Sequence, residues 1–390
     1  MNAIKNKRIA IVGGGPGGLT LARLLQMNGA DVKVYERDLN KNVRVQGATL
    51  DLHEDSGLKA LEQAGLMDAF DKHYRPGAEK FRILDKHATI LYDEHASIKK
   101  EPFGNAHFRP EIDRGPLRKI LLDSLNPETV VWDSNFSSMQ RIGEKYQLEF
   151  KNGFTATADI VIAADGANSK IRPYITPVKP FYAGLTAIEG SVYNAAAEAP
   201  QVNTLLQGGK LFVLGDAKTL IVSAKGNGSL QFYPAFKTGE NWIKESNIDF
   251  TDNKQLAAWF TKEFAGWDKI WLELFENAEP NFTPRPLYCM PVDQTWDAMP
   301  NLTLLGDAAH LMPPYAGEGV NMAMLDALEL CNCLTDASFA GTQNAIAFYE
   351  KQMRARASEV TKITLDQTEA LHSAEGLNNM VMMFNEYGEG

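Results

Sequence analysis

The first 35 residues alternate between strand-like and helix-like apolar patterns. Residues 8–12, RIAIV, are apolar after the first position, which is typical of a short buried strand. Residues 31–35, DVKVY, predict a second strand, and Gly29 stands where the helix between the two strands would end. That helix is predicted from four leucines at helical spacing: Leu19, Leu21, Leu24 and Leu25. The pattern indicates a βαβ unit, the building block of a parallel sheet.

Further elements of the same unit are predicted downstream. Residues 159–164, DIVIAA, form a continuous apolar run, which is typical of a strand buried on both faces. Residues 302–305 predict another short strand that returns to the same sheet. Amphipathic patterns predict helices over residues 57–70 and 113–125, with Asp113 as the N-cap of the second. Distant parts of the chain are therefore expected to contribute to one parallel sheet.

The middle of the chain has a different pattern. Between residues 181 and 237 apolar and polar positions alternate in short runs, which turn signals at residues 215–218 and 226–228 separate. These strands predict an antiparallel sheet that is distinct from the parallel one. Helices are predicted for three later segments: residues 254–275, 344–353 and 358–371.

Composition narrows the class of protein. The chain has 390 residues, of which 44% are hydrophobic, which suits two or three domains. A formal net charge of -10, without any block of Lys and Arg, argues against a nucleic-acid partner or an anionic membrane surface. The sequence contains no apolar stretch of about 18 residues, the length needed to span a bilayer. Its first residues do not resemble a secretory leader, so we expect a cytoplasmic protein. Three cysteines, Cys289, Cys331 and Cys333, predict neither disulfides nor a metal site.

A glycine-rich loop lies between the first strand and the first helix. Gly13, Gly15 and Gly18 satisfy G-x-G-x-x-G. The first glycine permits the tight turn, the second the approach of a pyrophosphate, and the third close packing of helix on strand. Glu36, about 20 residues on, would accept hydrogen bonds from adenosine ribose hydroxyls. A tight turn without a ligand would have the same glycines, but the strand, the helix and the acidic residue together predict a dinucleotide site.

Two further turns place a carboxylate at the end of a predicted strand. These are Asp165-Gly166 and Gly306-Asp307. The carboxyl ends of parallel strands border the ligand crevice in such sheets. A Gly-rich bend at residues 317–320 then begins a helix, whose N-terminus carries roughly half a positive charge and suits negative charge on a flavin ring. Each turn alone would be an ordinary bend or helix cap, but the glycine loop, Asp165-Gly166 and Gly306-Asp307 in this order predict a flavin.

With these motifs the chain resembles the class A flavoprotein monooxygenases of the aromatic hydroxylase type. It is most similar to the Tet(X)-type tetracycline-inactivating monooxygenases, over nearly its whole length but weakly between residues 171 and 280. The stretches that carry the resemblance, besides the glycine loop and Asp165-Gly166, are YERD at residues 35–38, GATLDLH at 47–53, PEIDR at 110–114 and GDAAHLMPPYAGEGVN at 306–321.

The resemblance implies an α/β fold in three parts: a Rossmann-type FAD-binding domain, an inserted antiparallel β-sheet substrate domain and a C-terminal helix. The predicted boundaries are residues 1–75, 103–175 and 281–335 for the FAD-binding domain, 76–102 and 176–280 for the substrate-binding domain, and 336–390 for the C-terminal helical segment.

Cofactor contacts are predicted from the motifs and the resemblance together. The set is Gly13, Gly15, Gly18, Glu36, Arg37, Arg44, Asp51, Arg114, Asp307, Gly319, Val320 and Asn321. In this set Arg44 matches an arginine linked to the nicotinamide cofactor. Arg118 is a candidate for supporting the phosphates, the alternative being a surface salt bridge. As in the family, no second G-x-G-x-x-G is present, so NADPH would bind transiently and leave after reducing the flavin.

The resemblance implies a monooxygenase reaction. NADPH reduces FAD, O2 adds to form a flavin C4a-hydroperoxide, and one oxygen atom is transferred to an electron-rich carbon of a polycyclic or phenolic substrate. Tetracycline antibiotics are among the candidate substrates. The flavin supplies the chemistry, so the protein needs no nucleophile or metal and must position the substrate and exclude water. We expect a monomer whose partners are a small aromatic molecule and O2.

The substrate pocket is predicted from the same resemblance. His310, Pro314, Tyr315 and Gly317 are expected to wall the pocket beside the flavin, with His310 either a packed wall residue or a general base. Tyr315 matches an aromatic substrate contact. The other predicted substrate contacts are Glu189, Lys210, Phe212 and Gln231 on the antiparallel sheet and Met383 in the tail, where ordinary helix packing is the alternative.

Three of these positions depart from the resembling family. The Tet(X) type has Gln, Arg and His where this chain has Glu189, Lys210 and Gln231. Lysine lacks the planar fork of arginine, glutamate adds a negative charge, and glutamine does not titrate as histidine does. The reaction class is unaffected by these changes, whereas the tetracycline assignment is weakened. Another aromatic or polyketide substrate is the alternative.

Other functions remain open. A flavin-dependent halogenase would require a Trp-x-Trp-x-Ile-Pro stretch, which none of the six tryptophans forms. A simple NAD-dependent dehydrogenase would leave Gly306-Asp307 unexplained. A flavin-loaded protein that sequesters a ligand without turnover fits the same motifs, and substrate-dependent NADPH oxidation distinguishes it from an enzyme.

Overall fold

The structure, a computed structural model, describes residues 4–43, 49–96, 103–105 and 108–388. Its strands, in chain order, are β1 (Arg8–Val12), β2 (Asp31–Tyr35), β3 (Leu50–Asp51), β4 (Phe81–Asp85), β5 (Ile90–Asp93), β6 (Glu111–Ile112), β7 (Val130–Val131), β8 (Phe136–Ile142), β9 (Lys145–Phe150), β10 (Thr155–Ala158), β11 (Ile160–Ala163), β12 (Phe181–Val192), β13 (Lys210–Gly215), β14 (Lys218–Ala224), β15 (Leu230–Lys237), β16 (Thr283–Cys289) and β17 (Leu302–Leu304).

The helices, also in chain order, are α1 (Pro16–Met27), α2 (Lys59–Gln63), α3 (Met67–Asp71), α4 (Arg114–Asp123), α5 (Ala195–Glu198), α6 (Pro200–Leu206), α7 (Trp242–Glu245), α8 (Asn253–Glu263), α9 (Leu272–Glu276), α10 (Asp307–His310), α11 (Gly319–Thr335), α12 (Thr342–Leu371) and α13 (Gly376–Gly388).

Five parallel strands form the sheet that carries the glycine loop, in the order β17-β11-β1-β2-β7. Ile11 lies between Ile162 on one side and Val34 on the other, and all three are fully buried. Both faces are covered, which explains the uninterrupted apolar runs of these strands. The structure confirms the predicted βαβ start and the return of the chain to this sheet at β17.

A seven-stranded sheet forms the second layer, in the order β16-β12-β15-β14-β13-β4-β5. It was predicted to be antiparallel, and all its pairs are antiparallel except β13 with β4. Hairpins force consecutive strands to run antiparallel, but β4 enters from a distant part of the chain and is free of that constraint. The fold is therefore mixed α/β, with a parallel sheet, a largely antiparallel sheet and C-terminal helices, as predicted.

The two faces of the seven-stranded sheet differ. The outer face packs on α6, α8 and α9 through a buried apolar cluster that includes Val222, Phe232, Phe260 and Phe275. The other face, which we call the inner face, carries Glu189, Lys210, Phe212, Gln231 and Tyr233, among others. The register places these residues on one side because paired positions share a face and alternate positions along a strand do too.

Helix boundaries departed from the sequence patterns in three places. The helix predicted over residues 57–70 is interrupted at Gly65, whose φ of +69° ends α2 in a left-handed turn, and the helix predicted over 254–275 is interrupted at Gly266 in the same way. The two helices predicted over 344–353 and 358–371 are one continuous helix, α12. Only arginine and alanine lie between them, and neither breaks a helix.

The C-terminal helices connect the two layers. α12 packs on α11 and on the turn at Pro314–Ala316, while α13 packs on β4, β5 and β13. Among the helices of the described ranges, none has the length and apolar character needed to cross a bilayer. The proposed domain boundaries stay a prediction.

Candidate cofactor and substrate site

The glycine loop after β1 has one glycine, Gly15, that protein packing does not require. Gly13 has a φ of +113°, and a Cβ there would lie 2.1 Å from the Ala164 carbonyl oxygen. A Cβ on Gly18 would lie 2.2 Å from the Gly13 oxygen. A Cβ on Gly15 would meet no atom within 4 Å. Protein packing therefore requires glycine at the first and third positions of the fingerprint, whereas at Gly15 the smooth backbone borders open space, as a phosphate cradle requires.

Glu36 is held beside this loop at the end of β2. The Gly14 N–H donates to its Oε2 at 2.6 Å and the Asp38 N–H to its Oε1 at 3.0 Å, and the residue is only 3% exposed. A carboxylate can accept about four hydrogen bonds, so capacity remains for ribose hydroxyls. Arg37, its neighbour in sequence, is exposed.

The Arg118 side chain bonds to residues outside the glycine loop. Its guanidinium pairs with Asp38 at 3.0 Å and donates to the Lys41 carbonyl at 3.3 Å, while it stacks on the Trp132 ring. These contacts favour the salt-bridge alternative. Arg44 lies outside the described residues, so its predicted contact with NADPH stays a prediction.

Asp307 and Arg114 mark an interior cleft between the two layers. Both side chains are exposed. Yet burial raises the pKa of Asp307 and lowers that of Arg114, so both lie deep within the molecule. A side chain that lies far from the outer surface but remains accessible to solvent lines an internal cleft. The charges that act on Arg114 include Tyr233 and Glu189 of the inner face and Asp307 after β17, so Arg114 lies near both layers.

Arg172 joins the two carboxylate turns and was missed by sequence reasoning. This buried guanidinium donates to the carbonyls of Ala308 at 2.7 Å, Asp307 at 2.9 Å and Ala167 at 3.1 Å. It therefore holds the loop after β17 against the loop after β11. No local pattern marks this role, because the acceptors are backbone atoms about 135 residues away.

Asp165, in the loop after β11, has an acceptor that no described residue satisfies. Its Oδ2 accepts from the Lys170 N–H at 2.8 Å, while its Oδ1 is buried without a hydrogen-bond partner. Burial raises the pKa of this carboxyl. A buried oxygen without a donor is costly, and a hydroxyl of a bound ligand would satisfy it. The observation fits the prediction that this strand end borders the cofactor.

The start of α11 is fixed by Asn321. Its fully buried side chain accepts from the His53 N–H at 2.9 Å and donates to the Asp51 carbonyl at 3.0 Å and the Gly317 carbonyl at 3.3 Å. The Asn321 side chain is thus used within the protein. The backbone N–H groups of Gly319, Val320 and Asn321, which form the first turn of the helix, have no intrahelical acceptor and carry its positive end.

Asp51 and His53 form a charged cluster with Glu318. His53 Nε2 lies 3.0 Å from Asp51 Oδ2, and its Nδ1 lies 3.2 Å from Glu318 Oε1. Burial alone would lower the pKa of His53, but the two carboxylates outweigh it and raise the pKa to about 9. Burial would raise the pKa of Asp51, but His53 and Lys210 outweigh it and lower the pKa to about 2. His53 is therefore an imidazolium beside the start of α11.

We expect the His53 cluster to make stability depend on alkaline pH. A histidine whose pKa is raised from 6.5 to about 9 contributes stability that is fully present below pH 6.5 and is lost as pH rises through 9. The loss should reach about 3 kcal/mol, because each pKa unit between 6.5 and about 9 is worth about 1.4 kcal/mol. Urea unfolding at several pH values between 6 and 9.5 measures it. In His53→Gln the slope should be smaller by this amount, and an unchanged slope in the variant would contradict the assignment.

The predicted substrate contacts on the seven-stranded sheet share its inner face, and each of them also contacts another side chain of the protein. The Glu189 carboxylate accepts from Gln231 Nε2 at 2.5 Å and pairs with Arg285. Lys210 pairs with the buried Glu111, which occupies its ammonium. The Phe212 ring packs edge-on against Phe81 with centroids 5.4 Å apart.

Tyr233 and Arg285 extend this inner face and were missed by sequence reasoning. Tyr233 lies opposite Ile221 on β14, and its hydroxyl lies beside Glu189. Arg285 reaches Glu189 from β16. The alternation of β15 could have revealed Tyr233, because it is two positions from Gln231 and so shares its face. Arg285 could be found only from the register of β16 on β12.

The predicted pocket-wall residues differ in exposure and in the residues that they contact. Pro314 is exposed, and Gly317, with a φ of +69°, lies beside Asp51. Tyr315 is partly exposed and its hydroxyl contacts His372. His310, in contrast, is 2% exposed and its Nε2 lies 2.6 Å from Asp326 Oδ2. This burial favours the packed role over a general base.

Some apolar residues of α13 pack against the seven-stranded sheet, and others are exposed to solvent. Met380 and Phe384 pack against Ile83, Phe212 and neighbouring residues of the sheet. Met383 is 42% exposed and lies outside that cluster. Its predicted contact with substrate stays a prediction.

The family follows from comparison with known sequences. The family model described as "FAD binding domain" matches residues 6–203 and 293–364, which include the glycine loop, Asp165 and Asp307. This chain belongs to the FAD-binding domain family. The match spans most of the parallel-sheet layer and the start of the seven-stranded sheet, so FAD is the dinucleotide that the site accommodates.

The chain is similar over most of its length to several proteins that are named as monooxygenases. Monooxygenase asqM of Emericella nidulans is 29% identical over 92% of this chain and 94% of that protein. The 6-hydroxynicotinate 3-monooxygenase of Pseudomonas fluorescens is 27% identical over 93% and 92%. The crystal structure of tetracycline destructase Tet(55) matches with a TM-score of 0.74 at 20% identity, over 96% of this chain and 95% of that one. At that identity the match shows a shared fold, and it does not establish the closer relation to the Tet(X) type.

Proposed function

We propose that this chain is an NADPH-dependent FAD monooxygenase that adds one oxygen atom from O2 to a flat aromatic or polycyclic phenolic substrate. The observation that carries the proposal is the interior cleft, whose wall runs from Asp307 through Arg114 to Glu189. A monooxygenase of this kind must bring cofactor and substrate together away from bulk water, and this cleft joins the cofactor side to the inner face.

The residues present fit FAD. Glu36 would hold the adenosine ribose, the loop at Gly15 and the start of α1 the pyrophosphate, and Asp307 and the Asp165 Oδ1 the hydroxyl-bearing linker. The N-terminal turn of α11 would face the flavin ring with its free N–H groups. When bound, FAD supplies the activation of oxygen and its transfer.

The chain's own residues bind and orient the cofactor and the substrate, and they exclude water from the cleft. Arg172 ties the loop of Asp307 to that of Asp165, which keeps both carboxylates at one strand edge. Arg114 places a positive charge at the middle of the cleft, where no described residue forms a hydrogen bond or ion pair with its guanidinium. A cation in that position would attract an electron-rich, partly ionised phenol or enol.

The inner face suggests how such a substrate lies. Its β12 and β15 side is polar, with Glu189, Gln231 and Tyr233, whereas its β13 side, apart from Lys210 and its partner Glu111, is apolar, with Phe212 and the Met380 cluster. A molecule with one hydrogen-bonding edge and one apolar edge matches this division. The relative that acts on 6-hydroxynicotinate by name supports a hydroxylated aromatic ring as substrate class.

Tetracycline is one candidate of this class. It is polycyclic with a phenol and enol edge, and the Tet(55) fold covers nearly the whole chain. Against it, Lys210 is held by Glu111 and Glu189 by Arg285, so neither matches a free arginine or a neutral glutamine. Turnover of a smaller hydroxylated aromatic is therefore the alternative within the proposal.

Three measurements test the proposal together. The purified protein should show the yellow absorbance of bound FAD, and colourless protein that does not take up FAD would refute it. NADPH consumption should rise when tetracycline or a panel of hydroxylated aromatic acids is added, and the product mass should increase by one oxygen atom. Ligand binding without NADPH consumption would instead support a sequestering protein.

Asp307→Ala should weaken FAD retention. Its carboxylate lies deep in the cleft, and loss of a hydrogen bond between a charged group and FAD costs about 1.5 to 3 kcal/mol, or roughly tenfold to a hundredfold in affinity. FAD content after dialysis measures the effect. Asp297→Ala, at an exposed position, is a suitable control that should stay loaded. Full loading of Asp307→Ala would show that this residue does not hold FAD.

A further inference from the structure

A buried histidine of the C-terminal segment contacts the predicted substrate wall. His372, at the end of α12, is 1% exposed, and its Nε2 lies 2.7 Å from the Tyr315 hydroxyl. Its Nδ1 lies 3.1 Å from the carbonyl oxygen of Ala217, in the turn between β13 and β14. One imidazole thus joins the tail, the turn that follows the flavin motif, and the seven-stranded sheet.

The chemistry of the partners sets the direction of each hydrogen bond. A carbonyl oxygen only accepts, so Nδ1 must carry a proton and donate to Ala217. Burial lowers the pKa of His372 to about 4, so the ring is neutral near pH 7 and Nε2 is a bare acceptor. The Tyr315 hydroxyl must then donate its only proton to His372.

The Ala217 carbonyl is held in place by an unusual turn. Asp216 and Ala217 both have positive φ, +53° and +56°, a conformation that residues other than glycine adopt at a cost. Lys86 binds Asp216 through both carboxylate oxygens at 2.9 Å, which stabilises the turn. The acceptor for Nδ1 is therefore fixed by the sheet and does not adjust to the ligand.

The Tyr315 hydroxyl, having donated its proton to His372, can only accept further hydrogen bonds. The residue lies deep, as burial raises the pKa of its hydroxyl, yet its side chain stays partly exposed, the same combination that marks Asp307 and Arg114. The buried Thr219 hydroxyl of the inner face lies beside the Tyr315 oxygen and has no other hydrogen-bond partner among the described residues, so it is placed to donate to that oxygen. Any further group that approaches this oxygen must donate to it.

We propose that His372 makes Tyr315 a hydrogen-bond acceptor in the substrate cleft, and that the cleft consequently selects aromatic ligands that point a protonated hydroxyl at this wall. The inference deepens the proposed function, because it takes the cleft to be the substrate site. His372 acts through Tyr315 and is a positioning residue.

The first test reads the protein itself and needs no substrate. Nitrogen-15 spectra of histidine-labelled holoprotein, compared with His372→Gln to assign the resonance, should show His372 protonated on Nδ1 and unprotonated on Nε2. A proton on Nε2 would overturn the proposal, since Tyr315 would then be free to donate. This result is independent of whether the protein turns over any substrate.

The second test compares two flat probes of the same ring size by calorimetry. 2-Naphthol can donate a hydrogen bond and 2-methoxynaphthalene cannot. The wild type should prefer 2-naphthol by about tenfold, the value of one hydrogen bond. Tyr315→Phe should lose that preference. His372→Phe should also lose it, because the freed Tyr315 proton can then serve the methoxy oxygen.

His372→Gln keeps the second test decisive if His372→Phe does not fold. The Gln amide can accept from Tyr315 and donate to Ala217, so His372→Gln should prefer 2-naphthol as the wild type does. Equal binding of the probes by the wild type, no binding of either, or an undiminished preference in Tyr315→Phe would each overturn the proposal. A preference as expected, in a protein that oxygenates nothing, would instead refute the proposed function alone.

Discussion

Gly15→Val is expected to fold as the wild type does and to lose FAD. The Gly15 backbone is extended, with φ -78° and ψ 177°, which any residue adopts, and a Cβ there meets no protein atom within 4 Å. The added side chain would instead fill the space into which the glycine fingerprint points, next to the start of α1. Loss of the phosphate contacts should weaken FAD binding by at least about a hundredfold, or about 2.8 kcal/mol.

The matched control is Gly18→Val in the same loop. Its Cβ would lie 2.2 Å from the Gly13 carbonyl oxygen, and backbone cannot move aside cheaply. We expect that variant to lose about 3 kcal/mol of folding stability or more, in the absence of FAD as well as in its presence. Flavin titration and thermal unfolding of the FAD-free proteins separate the two effects. Wild-type FAD affinity in Gly15→Val would show that this loop is not the phosphate cradle.

Asp326→Asn should destabilise the protein by about 3 to 5 kcal/mol, the cost of breaking a buried ion pair from one side. Asp326 is fully buried and binds His310 at 2.6 Å, Arg356 at 2.7 Å and the Gly306 N–H at 2.9 Å. The amide would leave the buried His310 without its carboxylate partner and Arg356 with Glu329 alone. FAD retention should fall as well, because Gly306 immediately precedes Asp307.

The control for Asp326 is Glu329→Gln. Glu329 binds the same Arg356 at 2.7 Å but is partly exposed, so its loss should cost about 1 kcal/mol or less. Urea unfolding measures both variants. Similar losses in the two would show that burial does not decide the strength of this cluster.

The same cluster should give stability a pH window. Burial would lower the pKa of His310, but Asp326 outweighs it and raises that pKa, so the stability it contributes is complete below pH 6.5 and is lost as pH rises. Burial would raise the pKa of Asp326, but His310 outweighs it and lowers that pKa, so this contribution is complete above pH 3.8 and is lost as pH falls. In Asp326→Asn both dependences should weaken.

The residues that sequence reasoning identified are those whose role depends on near neighbours in the chain. The glycine loop, Glu36 and the two carboxylate turns each combine a strand end with a turn within a few residues, and the structure places them at one edge of the parallel sheet. Their backbone requirements are local, so residue type and spacing are sufficient to predict them.

The residues that were missed, and the partners of some that were predicted, depend on contacts far away in sequence. His310 follows the flavin motif closely, yet it contacts Asp326 on another helix and is buried. Lys210 lies on the predicted face, but Glu111 occupies its ammonium. Residue type cannot indicate which distant carboxylate a charged side chain will meet, because that pairing is decided by how the sheets and helices pack.

By itself, the sequence determined the βαβ start, the return of the chain to the parallel sheet and the family of flavin-binding proteins, since periodicity and motif spacing are properties of the local chain. Only the tertiary structure decided the interior cleft, the tie that Arg172 makes between two loops, and the polar and apolar sides of the inner face. Only it brought His372 to Tyr315, which are 57 positions apart. These features arise where separate elements pack against one another, and packing is what turns a set of local patterns into a site.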